Sequence, residues 1–112
     1  MRRATTFAIG VLLLCAIAIP VHATTISVTN KNDSGPGSLR RALAIANNGD
    51  TITFAVTGTI TLTSGGLLIG KNVAISGPGN DRLSIDGNQA LLVFGIFPDK
   101  IVTIFGLSIR NG

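Results

Sequence analysis

The chain has 112 residues, enough for one domain, and carries 9 Lys+Arg against 5 Asp+Glu for a formal net charge of +4. Every acid is an Asp, and there is one His, one Cys, no Trp and no Tyr. A surface that binds nucleic acid by charge and stacking needs a basic stripe with aromatic platforms; the cations here are dispersed and only 4% of residues are aromatic, so nucleic acid is excluded as a partner.

The segment from Met1 to Ala23 reads as a leader. Arg2 and Arg3 are a basic head, 7–19 is an unbroken apolar run, Pro20 ends it, and Val21-His22-Ala23 closes on a small residue. Head, short apolar stretch and small-residue site together describe a secretory signal peptide with cleavage between Ala23 and Thr24. The run is too short for the ~20 residues a membrane-spanning helix needs, so no transmembrane segment is expected after cleavage. Cys15 follows Leu14 rather than a small residue and reads as one more apolar position, not a lipidation site. Without the leader the charge falls to seven cations against five carboxylates, +2, and neither His22 nor Cys15 remains. That removes the imidazole of nucleophilic catalysis and the usual zinc and haem ligands; a chain exported without disulfides must hold itself by packing and backbone hydrogen bonds.

Residues 24–112 are expected to form one unit. TISVT at 25–29 alternates apolar and polar positions, as a strand does, and 30–37 is rich in turn formers. A helix is expected over about 38–48, with Ser38 as its cap, Leu39, Ala42, Leu43 and Ala46 as its apolar stripe, Arg40 and Arg41 pointing away, and Asn47-Asn48-Gly49 as its stop. So short a helix needs a surface to cover. Its place before the first regular strand makes it an N-terminal cap for whatever follows.

From residue 51 onward one motif recurs: two or three alternating apolar positions, then a Gly or Asn turn. The copies are TITF at 51–54, TITLT at 59–63, LLIG at 67–70, VAISG at 73–77, LSIDG at 83–87, LLVFG at 91–95, VTIFG at 102–106 and LSIRNG at 107–112. Inward positions are Ile52 and Phe54, Ile60 and Leu62, Leu67 and Ile69, Val73 and Ile75, Leu83 and Ile85, Leu91 and Val93, Val102 and Ile104, and Leu107 and Ile109, with Thr, Ser, Ala or Asp between them facing out. NVAISG, starting at Asn72, returns as IVTIFG, starting at Ile101; LSIDGN, starting at Leu83, returns as LSIRNG, starting at Leu107. Coils of about two dozen residues with two or three short strands each define an all-β fold, a parallel β-helix, in which each coil buries its apolar side only by stacking on the next. A two-sheet sandwich is the rival, with longer strands and less repetition. The rhythm stops at Gly112 with no closing element, so the chain is expected to be truncated at its C-terminus or the first piece of a longer solenoid.

Candidate chemistry is sparse. Gly65 to Asn72 matches the phosphate-binding G-x-x-x-x-G-K pattern, but Asn72 stands where a hydroxyl is required and the surroundings read strand-turn-strand rather than strand-loop-helix. Asp33, Asp50, Asp81, Asp86 and Asp99 each lie beside turn residues and read as turn caps. Asp86 alone falls within a strand motif, and the spacing of the LSIDGN and LSIRNG copies would set it beside Arg110 on one outer face. No catalytic, cofactor-binding or metal-binding residue is assigned, and no cofactor is expected.

The blocks NKNDSGPGSLRRALAIANNGDTITF, GTITLTSG, LLIGKNVAISGPG, RLSIDGN and VTIFGLSIRNG together resemble the opening of bacterial secreted right-handed parallel β-helix repeat proteins that carry a polymorphic-outer-membrane-protein-like N-terminal segment. Members often have a Cys before Ser-Leu-Arg, where this chain has Gly37. The resemblance implies right-handed coils and a secreted or cell-surface scaffold, adhesive or structural rather than enzymatic. The partners it implies are further coils, or a second chain through the open C-terminal end. The polar outer wall suits contact with carbohydrate or a host surface, and equally describes any solvated solenoid wall. The alternative is the N-terminal part of a β-helix polysaccharide lyase or glycoside hydrolase whose acids lie in later coils.

Overall fold

The computed structural model describes residues 23–90 and 92–112. The leader, with Cys15 and His22, and the inward assignment of Leu91 lie outside the described residues. In chain order the elements are β1 (Thr25–Val28), α1 (Leu39–Ile45), β2 (Asp50–Phe54), β3 (Gly58–Thr61), β4 (Leu67–Ile69), β5 (Val73–Ser76), β6 (Leu83–Asp86), β7 (Phe94–Ile96), β8 (Val102–Phe105) and β9 (Ser108–Arg110). No helix among them is long and apolar enough to cross a membrane.

The strands sort into three parallel sheets. Sheet A has the order β1-β2-β5-β8, sheet B β3-β6-β9 and sheet C β4-β7. Every pairing is parallel, so the hairpins of a sandwich are absent among the described residues, and the chain is a parallel β-solenoid of about three turns. Both sequence returns are the actual registers: Val73 lies opposite Val102, and Ile85 opposite Ile109.

The registers line up identical side chains. Ile26, Ile52, Ile75 and Ile104 form one inward column in sheet A, and Ile60, Ile85 and Ile109 another in sheet B. β-branched residues fit a pleated surface that is half buried, and stacking them removes each from water. Ile52, Ile75 and Ile85 are fully buried, and fully burying such a side chain is worth about 1.5–3 kcal/mol. In the last coil the same positions are only partly covered: Val102, Ile104 and Leu107 are half-buried and Ile109 is exposed.

Two expectations need correction. The helix spans Leu39–Ile45, not 38–48. Ser38 caps it as expected, its Oγ accepting the Arg41 N–H at 3.1 Å. It ends early because Ala46 is already extended, at φ −64 and ψ 150, and the Asp50 carboxylate takes the Asn47 N–H at 2.8 Å, drawing the chain into the next strand. Asn47 to Asp50 is therefore a separate turn, closed by Asp50 N–H on the Asn47 carbonyl, with Asp50 itself the first residue of β2. Besides the helix bounds, the stretch 91–95 needs correction. The strand is Phe94–Ile96, with Phe94 and Ile96 stacked on Leu67 and Ile69, while Val93 is buried just before it. The run Leu-Val-Phe-Gly-Ile is apolar at both parities, and in the observed one Gly95 lies outward beside Leu68 of the level below.

α1 packs against β1 and β4, burying Leu39, Ala42 and Leu43. In the first turn it lies beside β4, the first strand of sheet C. One corner also needs glycine on both levels. A side chain on Gly77 would collide with the Gly106 carbonyl, and one on Gly106 with that of Gly77, so the backbones meet where side chains would otherwise stand.

Candidate functional site

The best-formed concavity is a shallow groove of about 320 Å³ beside sheet A, lined by Gly49, Asp50, Asn72, Val73, Ala74, Ile101 and Thr103. It forms where successive coils turn into sheet A. Its polar groups hold the coils together. Asn72 N–H donates to Asn48 Oδ1 at 2.9 Å, and Asn72 Oδ1 accepts the Ile101 N–H at 2.8 Å, so two stacked asparagines tie three levels. Asp50 supplies the carboxylate of this lining. It is buried, with one oxygen accepting the Asn47 N–H and the other the Thr24 N–H at 3.0 Å. Those two N–H groups, Asn47 first, hold its pKa below the usual carboxylate value despite burial. An acid kept ionised with both oxygens engaged is poorly suited to give up or take a proton, and a glycosidase pair needs a second carboxyl about 5–9.5 Å away.

The G-x-x-x-x-G-K stretch has no phosphate cradle. Leu67–Ile69 is β4 and Val73–Ser76 is β5, so residues 70–72 are a corner between strands. Lys71 Nζ donates to the Ala44 carbonyl at 3.0 Å, near the C-terminal end of α1, where a cation complements the helix dipole.

Of the acids read as turn caps, Asp86 fits: it accepts the Asn88 N–H at 2.8 Å, two residues on, and this bond is the main cause of its lowered pKa. It lies in register with Arg110, as expected. The two make no ion pair; Arg110 reaches past to Thr59 Oγ1 at 3.4 Å.

Asp33 is a different kind of residue. Its carboxylate accepts the Thr63 N–H at 2.9 Å, the Ser64 hydroxyl and the Arg40 guanidinium at 3.0 Å, the one ion pair among the described residues. Arg40 also donates to the Asp33 carbonyl at 3.1 Å and to the Gly65 and Gly66 carbonyls, each at 2.8 Å. Partial burial pushes the Asp33 pKa up, but the Ser64, Arg40 and Thr63 bonds outweigh it and hold the carboxyl at about 2. This clamp fastens the first loop and α1 to the corner before β4. Sequence reasoning missed it because, apart from the Asp33–Arg40 pair seven residues apart, the partners lie 25 to 31 residues apart and no local pattern joins them.

The outer wall of sheet A is polar over its first levels: Thr25, Thr51, Ala74 and Thr103 form one column, Ser27, Thr53, Ser76 and Phe105 the next. Sheet C departs from that pattern, since Leu68 faces out and is 65% exposed. Among the described residues no three of His, Cys, Asp and Glu are grouped as metal ligands would be. Comparison with protein-family models, with curated proteins and with solved structures finds no match.

Proposed function

We infer that the chain is the N-terminal, helix-capped end of an exported right-handed β-helix that serves as a non-enzymatic scaffold at the cell surface or outside the cell. The observation that carries the reading is the in-register parallel stacking of the coils. α1 packs on β1 and β4 and the Asp33–Arg40 clamp ties it to the corner before β4, while rung after rung repeats its predecessor in register. Parallel rungs that repeat in register, with no group left over for chemistry in the groove, suit a repeat-protein scaffold. The groove fits a structural role, because its Asn and Asp groups are occupied in joining one level to the next.

Export is tested by expressing the whole chain in a bacterial host and reading the N-terminus of the purified product by mass spectrometry. The expected result is a chain beginning at Thr24, recovered outside the cytoplasm. A full-length cytoplasmic product overturns export. Depolymerisation of acidic or neutral polysaccharides by the purified chain would overturn the non-enzymatic part.

A further inference from the structure

We propose that Asp50 receives the mature N-terminus: hydrolysis of the Ala23–Thr24 bond turns the Thr24 nitrogen into an ammonium that pairs with the buried Asp50 carboxylate and latches the first rung. The proposal rests on the leader-removal part of the scaffold reading; neither a surface location nor adhesion enters it.

The geometry exists before any cut. Thr24 N lies 3.0 Å from Asp50 Oδ1, where as an amide it donates one neutral N–H. The contacts that hold this nitrogen lie on the C-terminal side of the bond to be broken: the Thr24 carbonyl accepts the Thr51 N–H at 3.0 Å, and from Thr25 onward β1 pairs with β2 in register. Cutting before Thr24 therefore leaves its nitrogen in place.

Asp50 lacks what the cut supplies. It opens an inward column that continues with Val73 and Val102 and is 2% exposed, and a carboxylate so placed is costly unless it is paired. Its hydrogen bonds come from the neutral N–H groups of Asn47 and Thr24. No cation pairs with it among the described residues: Lys71, whose charge reaches it, places its Nζ on the Ala44 carbonyl, and Arg40 pairs with Asp33. An ammonium at Thr24 brings the missing charge at hydrogen-bond distance, and a charge-assisted bond is roughly twice as strong as a neutral one. Thr24 itself is exposed, so the ammonium keeps its other N–H groups in water and avoids most of the cost of a buried ion pair.

The step consumes one water. The C–N bond of the Ala23–Thr24 peptide breaks, the water oxygen goes to the Ala23 carbonyl carbon, which leaves as a carboxylate, and both water protons go to the Thr24 nitrogen. The agent is a leader peptidase of the exporting cell. Before the cut the site holds a donor without a charge; after it, β1 is fastened to the start of β2 by an ion pair.

The test uses the whole chain with Pro20→Ile, Val21→Glu, His22→Gly and Ala23→Arg, which sets the recognition sequence of a site-specific serine protease directly before Thr24. Once the folded chain is cut, the pH titration of the Thr24 Cα chemical shift should place the new amine about 1–3 pH units above the ~8 of a free chain terminus. An amine raised in the fold stabilises it below the free value and loses that effect as pH climbs through the raised one, so the urea midpoint should fall across this range. Asp50→Asn should return the amine to the free value and remove the fall. Pro20→Glu, Val21→Gly and His22→Arg, with Ile19 kept, move the cut one residue earlier and leave Ala23 at the terminus. That chain retains Asp50 and should lose most of both effects, which decides the matter if Asp50→Asn does not fold. A Thr24 amine that titrates at the free value, or one equally raised in a folded Asp50→Asn chain, overturns the proposal. The wild-type product is read separately: a start at Thr24 supports the processing step and a start elsewhere overturns that step, while the engineered cut, which needs no export, decides the ion pair by itself.

Discussion

The two ends of this short stack solve the same problem unequally. A β-solenoid exposes apolar interior and unpaired strand edge at each end, a liability that repeat proteins manage with dedicated caps. In the first turn α1 packs on β1 and β4 and buries Leu39, Ala42 and Leu43, and the Asp33–Arg40 clamp fastens the preceding loop to the next coil. At the C-terminal end the same column positions, Ile104 and Ile109, keep partial contact with water. The lesson is that the inward pattern alone does not make a core. An isoleucine at a perfect column position is worth what the rung above it covers.

Substitutions can break that contrast, and the largest effect belongs in the middle. Ile75→Ala empties a fully covered site between two rungs and should cost about 2–5 kcal/mol by urea unfolding, whereas Ile104→Ala, in the same column, should cost less than half of that. Equal losses would mean that the terminal coil is as well packed as the central one. Leu39→Ala follows, since Leu39 is the most buried helix side chain of its size; a loss of about 2–4 kcal/mol is expected, together with faster hydrogen exchange at the amides of β4.

Arg40→Ala should cost about 1–3 kcal/mol, because it removes charge-assisted bonds to Asp33 and leaves the Gly65 and Gly66 carbonyls to find water. Arg40→Lys should recover only part of it, having no planar fork to reach both carbonyls. The smallest effect is the dependence on acid. Asp33 titrates at about 2 in the fold against 3.8 unperturbed, so the stability it contributes is complete above the higher value and is lost as pH falls through the lower. Asp33→Asn should therefore flatten the fall in urea midpoint between about pH 4 and pH 2. Some slope should remain, since Asp50 and Asp86 are also held below their usual values. An unchanged acid slope would mean that the clamp is not formed in solution.

Much of the architecture is legible in the residues alone, because a solenoid writes its long-range contacts as repetition. NVAISG and IVTIFG are strand partners, as are LSIDGN and LSIRNG, and the second return also matches Asp86 with Arg110 across levels. What could not be read has a common cause. The helix end is set by a carboxylate at Asp50 competing for the Asn47 N–H, the parity of 93–96 by pairing with β4, and the role of Asp33 mainly by partners about a coil away. None of these repeats, so none leaves a periodic trace. The groove is equally illegible, since its lining comes from three separate turns and its Asp50 looks like any other acid beside a glycine.

The corners carry one more consequence. In sheet A, Asp50, Val73 and Val102 stand in one column, although the second step along the chain is longer than the first. The surplus sits mostly in the bends, where 55–57 on one level becomes 77–82 on the next and 70–72 becomes 97–101. Chain length between rungs is thus decoupled from alignment within them. Foreign peptides grafted into the bend at 97–101, or deletions that shorten it toward its counterpart at 70–72, should therefore leave the stacked isoleucines where they are, which makes that bend the natural place to display an epitope or a spectroscopic label.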